Sequence, residues 1–293
     1  MPELPEVEIV RRGLEPVLTG ATIVRVEQRR ADLRFPFPEG FVQRLEGRTI
    51  VSVSRRAKYL LVTLSDETVL IIHLGMSGRL SVAAGGAMRT FGDYVYGTSA
   101  SEKHDHVALT LSSGTSVIYN DPRRFGFMLL TTARERETHP LFAELGVEPL
   151  GNALNAAYLS AKAHGRRTDL KAFLLDQRTI AGLGNIYVSE ALHRAEISPR
   201  RSAASLAKAD GTPTARAERL VPQIRAVLTA AIEAGGSSLR DYRHTDGTSG
   251  GFQKEFAVYG RAGEACARPG CGGIIQRLVQ SQRATFYCAS CQR

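Results

Sequence analysis

At 293 residues the chain is long enough for two domains, each with its own hydrophobic core. Lys and Arg number 38 against 29 Asp and Glu, so the formal net charge is +9, which suits a polyanionic partner. No run approaches the roughly 18 apolar residues that a membrane helix needs. The N-terminus is acidic and amphipathic, unlike a signal peptide. Composition therefore excludes a membrane partner, and we expect a cytoplasmic protein.

The first eight residues, Met-Pro-Glu-Leu-Pro-Glu-Val-Glu, allow two interpretations. In the first they begin a helix, because Pro5 suits a first helical position and the glutamates lie where the helix dipole favours anions. In the second, removal of Met1 makes Pro2 a chain-terminal secondary amine. Such an amine attacks a sugar or aldehyde carbon and gives a cationic iminium, with Glu3 beside it as an acid or base. From these residues alone, the helix start is favoured.

Between residues 22 and 131, short apolar or alternating segments are separated by Gly, Asp and Ser, which favours a β-sandwich. The predicted strands are 22–28, 49–54, 59–64, 68–74, 106–111 and 115–119, and residues 82–102 are expected to form a long loop. Farther on, apolar residues recur at helical spacing. The predicted helices are 155–163, 169–175, 186–194 and 217–234, the last ended by two glycines.

These patterns predict an α+β fold in two domains. An N-terminal helix and β-sandwich occupy residues 1–134, and a polar hinge follows at 135–152. A helical domain spans 153–251, and a small module at 252–293 contains every cysteine.

The cysteines follow the pattern Cys266-x4-Cys271-x16-Cys288-x2-Cys291. Two close pairs separated by about 15–20 residues are typical of a tetrahedral zinc–thiolate site. Four thiolates leave no open coordination position, so the pattern predicts one structural Zn²⁺ and no catalytic metal. Between the pairs, residues 272–287 are predicted to form a β-hairpin with Arg283 near its tip.

Three further motifs each have an ordinary interpretation as well as a functional one. The segment Ala-Gly-Leu-Gly-Asn-Ile-Tyr is either an ordinary turn between helices or a phosphate-binding site at a helix N-terminus. Asn185 is the expected cap of that helix. Arg-Arg-Ala-Lys, ending at Lys58, is either a solvated basic turn or a phosphate contact. Met76 and Phe125, in Gly-bounded loops, are either core residues or wedges that fill the gap left by an extruded base.

Together, these stretches resemble the formamidopyrimidine-DNA glycosylases, the bacterial base-excision enzymes for oxidised purines, over essentially the whole chain. The resemblance is carried by the N-terminal octapeptide, Arg-Arg-Ala-Lys-Tyr-Leu, Asn-Asp-Pro-Arg-Arg-Phe-Gly, Gly-Leu-Gly-Asn-Ile-Tyr and Gln-Arg-Ala-Thr-Phe-Tyr-Cys. It implies a helix–two-turn–helix DNA-binding domain after the sandwich and a zinc finger at the C-terminus. It further implies excision of 8-oxoguanine and formamidopyrimidines from duplex DNA through a Schiff base on the terminal proline. Strand cleavage by β,δ-elimination, an AP lyase activity, would follow.

The resemblance also implies roles for single residues. Pro2 is the nucleophile and Glu3 the proton donor and shuttle, with Glu6 positioning the site. Lys58 contacts the phosphate flanking the target, and Arg283 enters the minor groove beside the lesion. The other implied DNA contacts are the void-filling Met76, Arg123 and Phe125, the backbone contacts Arg124, His104 and His106, and Asn185 and Lys171 near the damaged nucleotide. In the loop 237–252, Ser238, Tyr242 and Thr245 are candidates for closing over the extruded base.

Three alternatives stay open at this point. A non-catalytic DNA-binding module has no use for a terminal proline, and Pro2, Glu3 and Lys58 argue against it. A glycosylase of the endonuclease VIII branch, acting on oxidised pyrimidines, is disfavoured by Leu4 and the Arg–Phe loop. A zinc-ribbon protein acting only in protein interactions does not explain residues 121–126. The expected partner is damaged double-stranded DNA, bound by a monomer, and the preferred purine and opposite base stay open.

Overall fold

The computed structural model describes residues 2–91, 101–237 and 251–293. They form two compact units, Met1–Ala143 with Ala234–Gln253, and Glu144–Glu233 with Lys254–Arg293. Residues 234–237 and 251–253 therefore pack with the first unit, whereas the predicted boundary had placed residues up to 251 in the helical domain. Within the described ranges, no helix is long and apolar enough to span a membrane.

The first unit opens with helix α1, Leu4–Leu18, and the helix-start interpretation is confirmed. Glu3 is the N-cap of a capping box, in which its backbone N–H donates to the Glu6 carboxylate at 2.9 Å. Val7, Val10 and Leu14 are buried on one face of the helix and join the core of the sandwich.

Two antiparallel sheets form this core, which confirms the predicted sandwich. One has the strand order β1-β7-β8-β5-β6 and the other β2-β3-β4-β9. The strands are β1 (Ile23–Gln28), β2 (Ile50–Arg56), β3 (Tyr59–Leu64), β4 (Thr68–His73), β5 (Arg79–Ala84), β6 (Ala87–Phe91), β7 (Asp105–Leu111), β8 (Ser116–Asn120) and β9 (Phe127–Thr132), and a short helix α2 (Phe41–Leu45) follows β1.

The expectation of a loop over residues 82–102 is wrong for its first half. β5 and β6 form a hairpin that turns at Gly85 and Gly86, both at positive φ. Ala and Gly dominate this stretch, so its local β-propensity is low. The strand is specified instead by its pairing with β8. Residues 92–100 lie outside the described part of the chain.

The second unit contains helices α3 (Ala156–Ala163), α4 (Leu170–Leu175), α5 (Asn185–Arg194) and α6 (Ala215–Glu233). Asn155 and Asp169 cap α3 and α4 by accepting hydrogen bonds from backbone N–H groups three residues on. The expectation that Asn185 caps α5 is wrong. The N-cap of that helix is Gly184, and Asn185 is its first helical residue, so the Asn185 side chain is available for other contacts.

The predicted C-terminal hairpin is confirmed as β10 (Ile275–Gln280) paired with β11 (Arg283–Cys288). Ser281 and Gln282 form the two-residue turn, and both have positive φ, at 47° and 61°. This is the backbone geometry of the turns that match the twist of paired strands. The turn fixes Arg283 as the first residue of β11, opposite Gln280.

Candidate functional site

A buried carboxylate organises the N-terminus. Glu6 is 2% exposed, and its Oε2 accepts the backbone N–H of Glu3 at 2.9 Å. Its Oε1 accepts both the N–H and the hydroxyl of Ser237, at 3.0 and 2.9 Å. Pro2 and Glu3 are themselves buried. Glu6 thus fixes the backbone that carries the two candidate catalytic residues.

Lys58 lies in the turn between β2 and β3 and is 9% exposed. The residue before it, Ala57, has a φ of 52°, and its carbonyl accepts a hydrogen bond from Arg55 at 2.8 Å. The same guanidinium donates to Glu8 of α1 at 3.2 Å. Arg55 therefore ties the Lys58 turn to the helix that begins at the candidate nucleophile.

Glu8 accepts this bond as a carboxylate. Burial by itself raises the pKa of Glu8, but hydrogen bonds from Arg11 and Arg12 outweigh burial and the net shift is downward. The distance from Arg11 Nη2 to Glu8 Oε1 is 2.9 Å. Glu8 is therefore ionised at neutral pH and holds Arg55 electrostatically.

His73 supports the loop that carries Met76. Its ring stacks on Phe127 at a centroid distance of 5.0 Å, and its Nδ1 accepts the backbone N–H of Gly75 at 3.1 Å. Burial, followed by the charges of Lys58 and Arg34, lowers the pKa of His73 to about 4. The ring is therefore neutral at physiological pH, as the accepting role of Nδ1 requires.

Asp121 joins the two Gly-bounded loops. Its buried carboxylate accepts hydrogen bonds from the Ser77 hydroxyl and from the backbone N–H of Gly126, the latter at 2.8 Å. Ser77 in turn accepts the N–H of Arg123 at 3.1 Å. The loops pack closely at Gly75, where an added Cβ would lie 2.3 Å from the Phe125 carbonyl carbon.

These two loops present the predicted wedge residues. Met76 is half-buried, whereas Phe125 is 44% exposed and so is not a core residue. The Arg123 guanidinium lies 4.8 Å from the centre of the Phe125 ring, in a cation–π contact. An exposed aromatic ring with a cation stacked on it suits insertion between bases, because both groups stack on base faces.

The residues expected to contact the DNA backbone lie in different environments. Arg124 is exposed, with its guanidinium 3.8 Å from the carboxylate of Asp32. His104 is half-buried, and its carbonyl accepts the N–H of Asp121 at 3.0 Å. His106 is buried with Nε2 2.9 Å from the Asp121 carbonyl. His106 therefore supports the loop from inside.

In the second unit, three predicted site residues meet at the hairpin tip. The carbonyl of Ala284, the residue after Arg283, accepts hydrogen bonds from Asn185 Nδ2 at 3.0 Å and from Lys171 Nζ at 2.9 Å. Lys171 is 0% exposed and also donates to Thr285 Oγ1 at 2.7 Å. Arg283 itself is exposed. Lys171 and Asn185 thus hold the strand that presents Arg283.

The four cysteines converge as their spacing predicts. Their sulfur atoms all lie within 4.8 Å of one another. Cys271 and Cys288 are 3.5 Å apart, and Cys266 and Cys291 are 3.9 Å apart. Tetrahedral zinc with Zn–S bonds of about 2.3 Å requires sulfur–sulfur separations of about 3.8 Å. The cluster therefore fits a structural zinc ion held by four thiolates.

Comparison with known proteins identifies the family. Three family models match the chain: the formamidopyrimidine-DNA glycosylase N-terminal domain over residues 1–128, the H2TH domain of the same enzymes over 145–243, and a zinc finger found in Fpg and IleRS over 263–293. The chain belongs to the formamidopyrimidine-DNA glycosylase family. This confirms the predicted family and the predicted class of enzyme, a DNA glycosylase.

Relatives match this glycosylase from end to end. A Chelativorans formamidopyrimidine-DNA glycosylase is 57% identical and one from Beijerinckia indica is 58% identical, each with both chains covered fully. Among solved structures, Lactococcus lactis Fpg in complex with abasic-site DNA is 33% identical, with a TM-score of 0.83 over 100% of both chains. Thermus thermophilus MutM (Fpg) is 39% identical, with a TM-score of 0.80 over 99% of this chain and 98% of its own.

The predicted site residues of this glycosylase fall into two groups, one in each unit. The first unit holds Pro2, Glu3, Glu6, Lys58, Met76, His104, Arg123, Arg124 and Phe125, and the second holds Lys171, Asn185, Arg283 and the four cysteines. Ser238, Tyr242 and Thr245 lie outside the described residues. Sequence reasoning missed Ser237, for which the only signal was a hydroxyl residue directly after the glycines that end α6.

Proposed function

We propose that this glycosylase excises oxidised purines, 8-oxoguanine and formamidopyrimidines, from duplex DNA and then cleaves the strand as an AP lyase. The observation that carries the proposal is the set of hydrogen bonds that the Glu6 carboxylate accepts from Glu3 and Ser237, which we call the Glu6 hub. These bonds fix a buried Pro2–Glu3 segment at the start of α1. The relatives are formamidopyrimidine-DNA glycosylases, and a mutant of Lactococcus lactis Fpg has been solved with Fapy-dG DNA, which supports the substrate class.

The first step is displacement of the base. After removal of Met1, the Pro2 nitrogen attacks C1′ of the damaged nucleotide, forming an N–C1′ bond while the glycosidic bond breaks. The electron pair leaves with the purine, and Glu3 delivers the proton that neutralises it. The Pro2 nitrogen then loses its own proton and O4′ of the deoxyribose takes one up, so the C1′–O4′ bond breaks and leaves a cationic iminium on Pro2.

Strand cleavage follows from the iminium, which withdraws electrons from C2′. Loss of a C2′ proton expels the 3′-phosphate in β-elimination, and a second proton loss expels the 5′-phosphate in δ-elimination. Glu3 shuttles these protons. Lys58, a cation in a largely buried turn, binds the phosphate that flanks the target and favours a neutral amine at Pro2 by charge repulsion.

DNA binding draws on residues of both units. Met76, Arg123 and Phe125 fill the gap left by the extruded nucleotide, and Arg283 enters the minor groove. Arg124 and His104 contact the backbone. Asn185 and Lys171 act near the damaged nucleotide. The net charge of +9 supports a largely electrostatic affinity for duplex DNA. We further propose that one structural Zn²⁺ is bound, that no catalytic metal takes part, and that the enzyme acts as a cytoplasmic monomer.

Borohydride trapping tests the proposal directly. The protein is incubated with duplexes carrying 8-oxoguanine opposite cytosine, undamaged guanine, or an oxidised pyrimidine, and the reduced cross-link is mapped by mass spectrometry. We expect a cross-link on Pro2, without Met1, on the 8-oxoguanine duplex and none on undamaged DNA. Tight binding without a cross-link would favour the binding-module alternative, and selective trapping on the oxidised pyrimidine would favour the endonuclease VIII branch. A cross-link on a lysine would refute Pro2 as the nucleophile but would leave the proposed substrate class standing.

The matched variant for this experiment is Glu3→Gln. It keeps the size of the side chain but cannot donate a carboxylic proton to the leaving purine. On a duplex with a preformed abasic site no base has to leave. We therefore expect Glu3→Gln to lose more trapping on 8-oxoguanine than on the abasic site. Equal losses on both duplexes would contradict its role as the proton donor to the base.

A further inference from the structure

A histidine outside the cysteine cluster contacts one of the sulfur atoms. His193, in the last turn of α5, is 4% exposed, and its Nε2 lies 3.4 Å from Cys266 Sγ. This distance is within range of a hydrogen bond to sulfur. None of the roles assigned so far uses His193, although it is a buried polar side chain against a metal-binding thiolate.

The surroundings decide which ring nitrogen carries the proton. Nδ1 of His193 is buried and has no hydrogen-bond partner among the residues that the structure describes. A proton on Nδ1 would bury a donor without an acceptor and would turn the Nε2 lone pair toward the sulfur lone pairs. In the other neutral tautomer the proton is on Nε2 and points toward Cys266 Sγ. The doubly protonated imidazolium also has a proton on Nε2. In either protonation state, Nε2 is a donor to the sulfur.

A side chain of the cysteine loop contacts the same helix end. Arg268, within the four residues that separate Cys266 from Cys271, donates to the His193 carbonyl at 2.7 Å and to Glu196 at 2.6 Å. Arg268 therefore attaches the loop between Cys266 and Cys271 to the C-terminal end of α5, where His193 lies.

We propose that His193 is an outer-sphere ligand of the zinc ion, donating an N–H···S hydrogen bond to the Cys266 thiolate. The proposal rests on zinc filling the four-cysteine cluster. Hydrogen bonds to a thiolate stabilise its charge and orient it, so partners of this kind raise the retention of the metal, typically by 10–100-fold. His193 is thus a positioning residue that acts through Cys266.

The bond also links the metal to the DNA-contacting hairpin. Helix α5 begins at Asn185, which holds Ala284 at the hairpin tip, and its middle residue Glu190 accepts three backbone N–H groups from residues 257–259. Its last turn holds Cys266 through His193. Helix α5 therefore contacts the C-terminal module at three places: Cys266, the segment 257–259 that precedes the cysteines, and Ala284 near the hairpin tip.

The test uses the full-length zinc-loaded protein and two substitutions at one position. His193→Phe keeps an aromatic ring but removes the donor. His193→Gln keeps an N–H donor, because its amide nitrogen is the same number of bonds from Cβ as Nε2 of histidine. Val227→Ala, at a fully buried residue of α6, is the control for a general loss of stability. Two quantities are measured: zinc transfer to a chromogenic chelator, and the sulfur-to-metal charge-transfer band of the cobalt-substituted protein.

We expect His193→Phe to lose zinc roughly 10–100-fold faster than the parent and to shift the cobalt band to lower energy. His193→Gln should restore both quantities substantially, and Val227→Ala should leave the band in place. A Phe variant with the parent's band and transfer rate would overturn the proposal. Phe and Gln variants that lose zinc equally fast would also overturn it, because packing and not the N–H would then matter. A parent protein that contains no zinc would remove the premise without touching the Pro2 chemistry.

Discussion

Ser237 donates both its backbone N–H and its hydroxyl to one carboxylate oxygen of Glu6, across 231 positions of sequence. The other oxygen of Glu6 holds the N–H of Glu3. One side chain thus joins the start of α1 to the segment that follows α6. Because Pro2, the proposed nucleophile, precedes Glu3 directly, we expect the geometry of its amine to depend on this carboxylate.

Glu6→Gln is therefore expected to impair catalysis more than binding. An amide offers a single acceptor oxygen, so it cannot serve both Glu3 and Ser237, and its NH₂ group opposes one of the two donors. Small displacements of reacting groups cost up to about 100-fold in rate. We expect single-turnover trapping to slow at least roughly tenfold, with little change in affinity for a duplex with an abasic-site analogue.

The control for this prediction is substitution of Ser237, which donates to the Glu6 carboxylate. Ser237→Thr keeps the hydroxyl and should behave like the parent, whereas Ser237→Ala removes one of two bonds and should fall between the parent and Glu6→Gln. A Glu6→Gln variant that traps at the parental rate would show that the hub is structural only.

His73 gives the fold a defined sensitivity to acid. Its pKa is lowered to about 4 in the folded protein, mainly by burial, from 6.5. The unfolded chain therefore binds more protons between these values, so stability is full above pH 6.5 and falls as the pH drops toward 4. The full difference corresponds to about 3 kcal/mol in the free energy of unfolding.

His73→Asn isolates this contribution, because its amide oxygen can accept the Gly75 N–H in place of Nδ1 but does not titrate. Urea unfolding at pH 7.5 and pH 4.5 should show a smaller loss of stability on acidification for His73→Asn than for the parent. Since other buried histidines titrate in both proteins, the difference between the two losses reports His73 alone. Equal losses in the two proteins would contradict the assignment.

Replacing Phe125 is expected to impair activity on damaged DNA while leaving the stability of the fold unchanged. The ring is exposed and packs on Arg123 rather than in the core, so Phe125→Ala should change the free energy of unfolding by less than about 0.5 kcal/mol. Loss of one stacking contact of about 1–3 kcal/mol should reduce kcat/KM on lesion-containing duplex roughly tenfold. Val51→Ala, at another exposed apolar residue, should alter neither quantity. An equal loss in both variants would point to a general surface effect.

Local patterns predicted much of this structure, and they failed where contacts are distant. Strand β3 is a short, almost continuous apolar run, and its predicted limits, 59–64, agree with the structure. Ala83, Ala84 and Ala87 lie beside the Gly85–Gly86 turn that joins strands β5 and β6, so local β-propensity is low there, and these strands form through pairing, which periodicity does not report. The four cysteines could be predicted as zinc ligands because the spacing of the two cysteine pairs is by itself typical of a zinc site.

The same limit applies to the candidate site. Motif resemblance named the groups that are expected to act on DNA, but it did not identify the residues that hold those groups in place. Ser237 holds Glu6 from 231 positions away, and His193 contacts Cys266 from 73 positions away. Neither residue has a local signature, because a serine after a helix and a histidine in a helix are common in any sequence.

Lys171 and Lys58 are both predicted to act near DNA, and their surroundings predict different salt dependences. Lys171 is fully buried and bonded to Ala284 and Thr285 of the hairpin, so it acts by holding the strand that begins at Arg283. Lys58 is assigned to a phosphate. Each phosphate neutralised by a cation contributes about 0.9 to the slope of log K against log salt on duplex DNA.

Affinity for a duplex with a non-cleavable abasic-site analogue is therefore measured over a series of salt concentrations for Lys58→Met and Lys171→Met. We expect Lys58→Met to weaken binding and to reduce the slope by about one. Lys171→Met should weaken binding with the slope unchanged, because the hairpin shifts but no phosphate loses its own cation. If the slope falls by about one for Lys171→Met as well, Lys171 reaches a phosphate in the complex, and its bonds to the hairpin must break when DNA binds.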